Sequence, residues 1–535
     1  MRIPTRRQFL RAVGRAAGPT VLYGVMAQLG LAHASPARGD FALDHPLPPS
    51  RRGERVLVLG AGVAGMVSAI ELLRAGYEVE LLEYNQRPGG RCWTLRGGDR
   101  YTELGGATQE CRFAPGQYLN PGPWRIPYHH TGLLSYCRQF GVPLQPFIQV
   151  NHNAYVHSQR AFGGKPQRFR EVTADLNGEI DELLAKVVQQ HQLDQALSAD
   201  DRALLLDALR EIGALDKDFR WRAGPQASER RGYAREPGGG AQGKPADSQP
   251  VGLHDLLDSQ LWRQITVGQA YEYQTTLFQP VGGMDGIAHA LARQLPGRIR
   301  FGRRVAALAQ DERGVTVSHQ AVGADGRAQG PAIQSQAAWC VCTIPLSVLG
   351  QLDLAQGFTE RMQEAIGSVP YAAAVKIGLQ FKRRFWEEDE AIYGGISYTD
   401  LPIQIIGYPN YDFQAQGGVL LGAYVWGPNA FEYTAMAPAD RIRHAVEQGA
   451  QIHPQYPAEF ASGMSVGWHR SPFTLGCFAD WDDATRARHY DTVCTMDRRI
   501  VLAGEHASYL PAWQEGAVLS AHNAITQLHR RALTA

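Results

Sequence analysis

The spacing of apolar residues changes character along the chain, most sharply between residues 55 and 82. Residues 55–59 are a short apolar run, the pattern of a buried strand. The apolar positions then take helical spacing through Val67, Ile70, Leu72 and Leu73, until Gly76 stops the helix. Residues 78–82 read as a second strand, so this stretch predicts one β-α-β unit. Apolar residues three and four apart (Leu183, Val187, Leu204, Leu205, Leu209) predict helix within 183–215. Strands are expected at 299–309, 315–319, 337–345, 373–381, 404–408 and 419–424. Helices are expected at 286–294, 437–449 and 516–530. Residues 223–250 are rich in Gly, Pro, Ser, Gln and charge, too polar to bury enough surface to order themselves. That stretch reads as a flexible insertion, either passive on the surface or a flap over a substrate entrance.

Three glycines mark the turn between the first strand and its helix. In Gly60-x-Gly62-x-x-Gly65 the first makes the turn, the second leaves room for a phosphate, and the third lets helix and strand pack. The helix start, with Ala64, offers free N–H groups to the phosphate charge. Glu83 ends the second strand, where a carboxylate accepts both hydroxyls of an adenosine ribose. These features predict dinucleotide binding without separating NAD from FAD. Arg87-Pro88-Gly89-Gly90-Arg91 suits a second approach to the pyrophosphate, with room at Gly90 and charge from Arg91. Near the other end a strand-like run leads into Gly504-Glu505 and a predicted helix.

An N-terminal fingerprint joined to a C-terminal strand, Gly-Glu and helix resembles the flavin amine oxidase superfamily, which implies FAD. Gly122-Pro123-Trp124-Arg125-Ile126-Pro127 is similar to the G-P-x-R-aliphatic-P segment of L-amino-acid oxidases, the bacterial flavin-dependent enzymes included. Further similarity follows in order at Val375-Lys376-Ile377, Phe385-Trp386-Glu387-Glu388, Tyr398-Thr399-Asp400-Leu401-Pro402, Tyr408-Pro409-Asn410 and Pro511-Ala512-Trp513. The resemblance spans nearly all of 53–531, with 223–250 weakly matched. It implies that Arg125 grips a substrate carboxylate with the Tyr408 hydroxyl beside it. It makes Trp513 the aromatic wall near the substrate amine and the flavin, with Ala512 where relatives often have glycine. Lys376 matches the lysine that holds a water against the flavin, Val305 would lie against the adenine, and Gly504 and Glu505 would contact the cofactor. Taken singly, Arg125 reads equally as a surface ion-pair partner, Trp513 as core and Lys376 as a solvated strand-end charge.

The implied activity is oxidative deamination of an L-amino acid, aromatic or large aliphatic, by FAD and dioxygen. The products would be a 2-oxo acid, ammonium and hydrogen peroxide. An amino-acid 2-monooxygenase shares nearly the same site. A monoamine or polyamine oxidase shares the fold but has no use for a carboxylate clamp.

Composition refines this picture. At 535 residues the chain exceeds a single core. The expected architecture is α/β: a discontinuous, doubly wound FAD-binding domain (53–110, 278–345, 478–535), a mixed-sheet substrate domain (111–164, 346–477) and a helical domain (165–277). A net charge of +1 with 20% charged residues gives no sign of a nucleic-acid partner. Residues 1–34 carry Arg2, Arg6, Arg7, Arg11 and Arg15 but no acid. The twin-arginine pattern Thr5-Arg6-Arg7-Gln8-Phe9-Leu10, a modest apolar run and Ala32-His33-Ala34 read as a signal peptide for export to the periplasm or beyond. No other segment approaches the length of a membrane span, and a homodimer is expected. The seven cysteines have no metal spacing, no metal is expected, and the pair His129–His130 has no assigned part. Cys340 and Cys342 read as buried thiols on one strand face. Some relatives attach flavin through a C-terminal cysteine; none follows Cys494, so non-covalent FAD is expected.

Overall fold

Five parallel strands drawn from the start, middle and end of the chain form the central sheet, in the order Ile299–Arg300, Glu78–Leu82, Arg55–Leu59, Trp339–Cys342, Ile500–Leu502. The computed structural model describes residues 47–50, 53–192, 197–323 and 326–534. The signal-peptide reading of 1–34 therefore lies outside the described residues. Sheet side chains alternate between two faces. Leu57, Leu59, Cys340, Cys342, Ile500 and Leu502 share one core with Val305, Leu308, Val315 and Val317 of an antiparallel sheet, Arg303–Gln310, Val315–Val322 and Ala328–Ala337. The helices Val63–Arg74 and Gln514–Thr534, which pack on each other, lie against the parallel sheet. An antiparallel sheet, joined by short helices, covers the second face of the parallel sheet.

That sheet also corrects the strand expected at 299–309. Gly302 adopts φ +62° and turns the chain, so Ile299–Arg300 joins the parallel sheet while Arg303–Gln310 opens the antiparallel one. The helical reading of 183–215 resolves into Phe169–Gln189 and Ala199–Ile212, the second capped by the Ser198 side chain accepting from Asp201 N.

A seven-stranded mixed sheet forms the second region, with Ala374–Phe381 between Gly418–Trp426 and Phe460–Gly467. Its one parallel pairing is between Ile396–Thr399 and Tyr155–His157. Period two in the Ala374–Phe381 strand sends Val375, Ile377, Leu379 and Phe381 into one core and places Lys376 on the opposite face. No described helix is long and apolar enough to cross a membrane.

The polar stretch 223–250 departs from the flexible segment expected of it. It contains the helix Pro225–Arg231, and Ala227, Ser228 and Arg231 are buried. Composition missed the cause, a carboxylate some fifty residues earlier. Buried Asp175 pairs with Arg231 and accepts from Trp221 Nε1 at 3.1 Å and from Val251 N at 2.8 Å. Asp175→Ala should therefore cost about 3–5 kcal/mol, because it leaves a buried guanidinium unpaired. Thermal melting should show the loss, and limited proteolysis should open new cuts within 223–250. An unchanged melting temperature with no new cuts would refute this account.

Candidate active site

The fingerprint glycines differ in what surrounds them, and the differences show which contact each one serves. A Cβ on Gly65 would stand 2.0 Å from the Gly60 carbonyl oxygen, so helix and turn approach too closely for any side chain. Gly60 has φ +102°, and a Cβ there would meet Thr343 Oγ1 at 2.6 Å. A Cβ on Gly62 would meet no protein atom within 4 Å; its open side faces a cavity of ≈ 1200 Å³. Glu83 is buried and lines the same cavity, accepting from Ala61 N at 2.7 Å and Asn85 N at 2.8 Å. Gly60, Gly62, Ala64, Gly90, Arg91, Val305, Gly504 and Glu505 line it too, whereas Gly65 serves only packing. Arg91 donates to Glu505 Oε1 at 2.7 Å and to the Cys477 carbonyl at 2.8 Å, tying the start of the chain to its end. A buried acid, a glycine turn with free space and an arginine line one cavity. These residues fit FAD.

The same cavity continues into an aromatic chamber. Backbone pairing of Ile126–Pro127 with Leu277–Pro280, and the Trp468 indole donating to the Pro121 carbonyl at 2.7 Å, hold the Gly122–Pro127 segment. From it Arg125 extends its guanidinium 4.5 Å from the centroid of the Tyr273 ring, 5.5 Å from Trp124 and 6.0 Å from Trp513. Its Nε is buried with no hydrogen-bond partner, and no carboxylate pairs with it among the described residues. Lys376, fully buried, donates to the Gly122 carbonyl at 2.6 Å and lies 4.4 Å from the Tyr424 ring, its register partner across the sheet. Burial pushes its pKa down to about 7, with Cys477 acting against the shift and Arg125 adding to it. Trp513 has His130 edge-on at 5.0 Å, and burial lowers that histidine to about 4 against the opposing pull of Glu272. Ala512 sits at φ +70°, a conformation glycine adopts more readily, and its N–H donates to Glu505 Oε2 at 3.2 Å.

Tyr408 is not at this site. Its hydroxyl is buried against Ser397 Oγ at 2.7 Å and His453 Nε2 at 2.6 Å, outside the chamber. The reason is alternation: Ile396 and Tyr398 on the neighbouring strand face the cavity, and Tyr398 carries the hydroxyl there. Burial pushes Tyr398 up to about 12, and the Arg125 charge works against that shift. Nor does 223–250 border the cavity; Gln260, Arg263, Gln264, Val267 and Tyr273 do. Trp124 stood inside a recognised motif and Tyr424 and Trp426 follow period two, but Tyr273 has no sequence signal.

A profile of flavin containing amine oxidoreductases matches residues 63–528. The chain belongs to that family. Its members make it a flavin-dependent oxidoreductase. Among relatives, the flavin-dependent L-tryptophan oxidase RebO of Lentzea aerocolonigenes is 29% identical over 508 residues, covering 89% of this chain and 98% of the other. The L-amino-acid oxidase of Siganus canaliculatus is 27% identical, covering 91% and 87%. Cyclohexylamine oxidase from Brevibacterium oxydans IH-35A superposes with a TM-score of 0.58 at 16% identity, over 90% of this chain and 99% of that one, a likeness of fold.

Lys376 gives the family fold a pH signature. Its pKa falls from 10.5 to about 7 on folding. Between those values the unfolded chain binds the extra proton, so stability from this group rises with pH across the window. Lys376→Met lacks that contribution. From about pH 7 to about pH 10 the stability difference should move in the wild type's favour by on the order of 4 kcal/mol. Melting both proteins across that range tests it; parallel curves would refute it.

Proposed function

We propose that the protein is an L-amino-acid oxidase, releasing a 2-oxo acid, ammonium and hydrogen peroxide with dioxygen as oxidant. The observation that carries this reading is the Arg125 guanidinium, aromatic on several sides, with no acid partner among the described residues, inside the cavity that fits FAD. A half-buried cation without a counter-ion favours an anionic ligand, and a planar fork matches a carboxylate. Tyr398 offers the accompanying hydroxyl in place of Tyr408. Trp124, Tyr424, Trp426 and Trp513 would exclude water from the substrate side chain, which favours aromatic or large aliphatic amino acids. Lys376, titrating near neutrality, would hold and exchange a proton with a water beside the reacting carbon. When bound, FAD supplies the two-electron acceptor for the substrate α-carbon–hydrogen bond. The names of the relatives point the same way.

We further read the flavin as non-covalent. Cys92 and Cys477 line the cavity, but burial raises their thiols to about 12 and about 11, poor nucleophiles at neutral pH. The division into FAD, substrate and helical domains, export by the twin-arginine route and a homodimer belong to the same proposal.

Removing one side of a desolvated ion pair costs about 3–5 kcal/mol, or on the order of two to three powers of ten in kcat/KM. Arg125→Met should depress amino-acid turnover by that much at normal FAD content. It should hardly affect the amine that lacks the carboxylate. Equal losses on both substrates would make Arg125 structural, and an undiminished amino-acid rate would move the clamp elsewhere.

A further inference from the structure

His129 and His130 take no part in the carboxylate clamp, yet they converge with a residue far away in sequence. Their rings are perpendicular, with centroids 4.8 Å apart, and both turn Nε2 toward the same atom. Glu272 Oε2 lies 3.1 Å from His129 Nε2 and 2.8 Å from His130 Nε2. Two imidazoles and one carboxylate are the donor set of an open zinc site. A tetrahedral ion with bonds of about 2.05 Å needs ligand atoms about 3.3 Å apart; two of the three separations stand at 3.1 and 2.8 Å, and all three ligand atoms lie within 4.8 Å of one another. The imidazoles select a zinc-class cation over magnesium or calcium, which take oxygen ligands. His129 and Glu272 are 19% and 26% exposed, which gives an ion access and leaves room for water as fourth ligand, while His130 is closed off at 1%.

We propose that His129, His130 and Glu272 bind a zinc-class divalent cation between solvent and the wall of the substrate chamber. The site is joined to that wall at two points. His130 lies edge-on to Trp513, and Glu272 precedes Tyr273, whose ring faces Arg125. A bound cation would fix the 271–273 segment against the His129–His130 turn and restrain both aromatic walls, slowing turnover.

The test uses chelator-treated, flavin-loaded protein equilibrated with zinc chloride and assayed for zinc by elemental analysis. One zinc per chain is expected, with no displacement by excess magnesium. His129→Asn and Glu272→Gln should each weaken binding more than about tenfold while retaining the flavin absorbance. In the wild type alone, zinc should shield His129 from diethylpyrocarbonate, read by peptide mass. Turnover should fall with zinc occupancy and recover on chelation. No stoichiometric zinc, equal binding by both variants, or equal His129 modification with and without zinc would overturn the site. Full occupancy with unchanged turnover would overturn its coupling to the chamber.

Discussion

Arg125 and Lys376 meet in the aromatic chamber, and no carboxylate pairs with either among the described residues. Burying a charge is costly unless something compensates it. Lys376 meets the cost by holding its proton weakly and donating to the Gly122 carbonyl. Arg125 meets it by lying over aromatic faces, a weaker form of compensation. The three most deeply buried arginines follow the opposite rule. Arg384 pairs with Glu387, Arg441 with Glu103 and Arg231 with Asp175. Arg125 departs from that rule: its buried Nε has no hydrogen-bond partner, and no carboxylate pairs with it among the described residues.

The scaffold brings this chamber to the end of a dinucleotide cradle. The cradle's shape depends on close backbone approach: Gly65 against Gly60, and Gly122 so near Arg91 that a Cβ would stand 1.9 Å from its carbonyl oxygen. The second contact joins the cradle to the segment that carries Arg125, so cofactor and substrate walls are set by one packing arrangement. The Arg91–Glu505 pair adds an electrostatic tie between chain ends 414 residues apart. The Ala374–Phe381 strand then carries Lys376 into the chamber from the second sheet.

The helical region supplies the chamber's remaining wall, through Gln260, Arg263, Gln264, Val267 and Tyr273. Within it Tyr273 lies closer to the Arg125 guanidinium than Trp124, Phe147 or Trp513. The ordered helix within 223–250 supports the region from behind, through Asp175, at a distance from the chamber.

By itself the sequence determined the β-α-β cradle, the α/β class, three of the seven strands of the second sheet and the segments that carry Arg125, Lys376 and Trp513. Those features rest on short-range rules: period two and period 3.6, glycine where backbone must approach, and rigid Gly-Pro and Ile-Pro pairs beside one arginine. Only the tertiary structure decided which tyrosine enters the chamber. Tyr398 lies in the strand Ile396–Thr399 and Tyr408 just past its partner strand Ile405–Gly407, and pairing geometry turns one inward and buries the other against His453. It also decided that a polar stretch would order around a distant carboxylate, and that a strand would split at Gly302 between two sheets. Each of these depends on a partner far away in sequence, and local composition carries no information about such a partner.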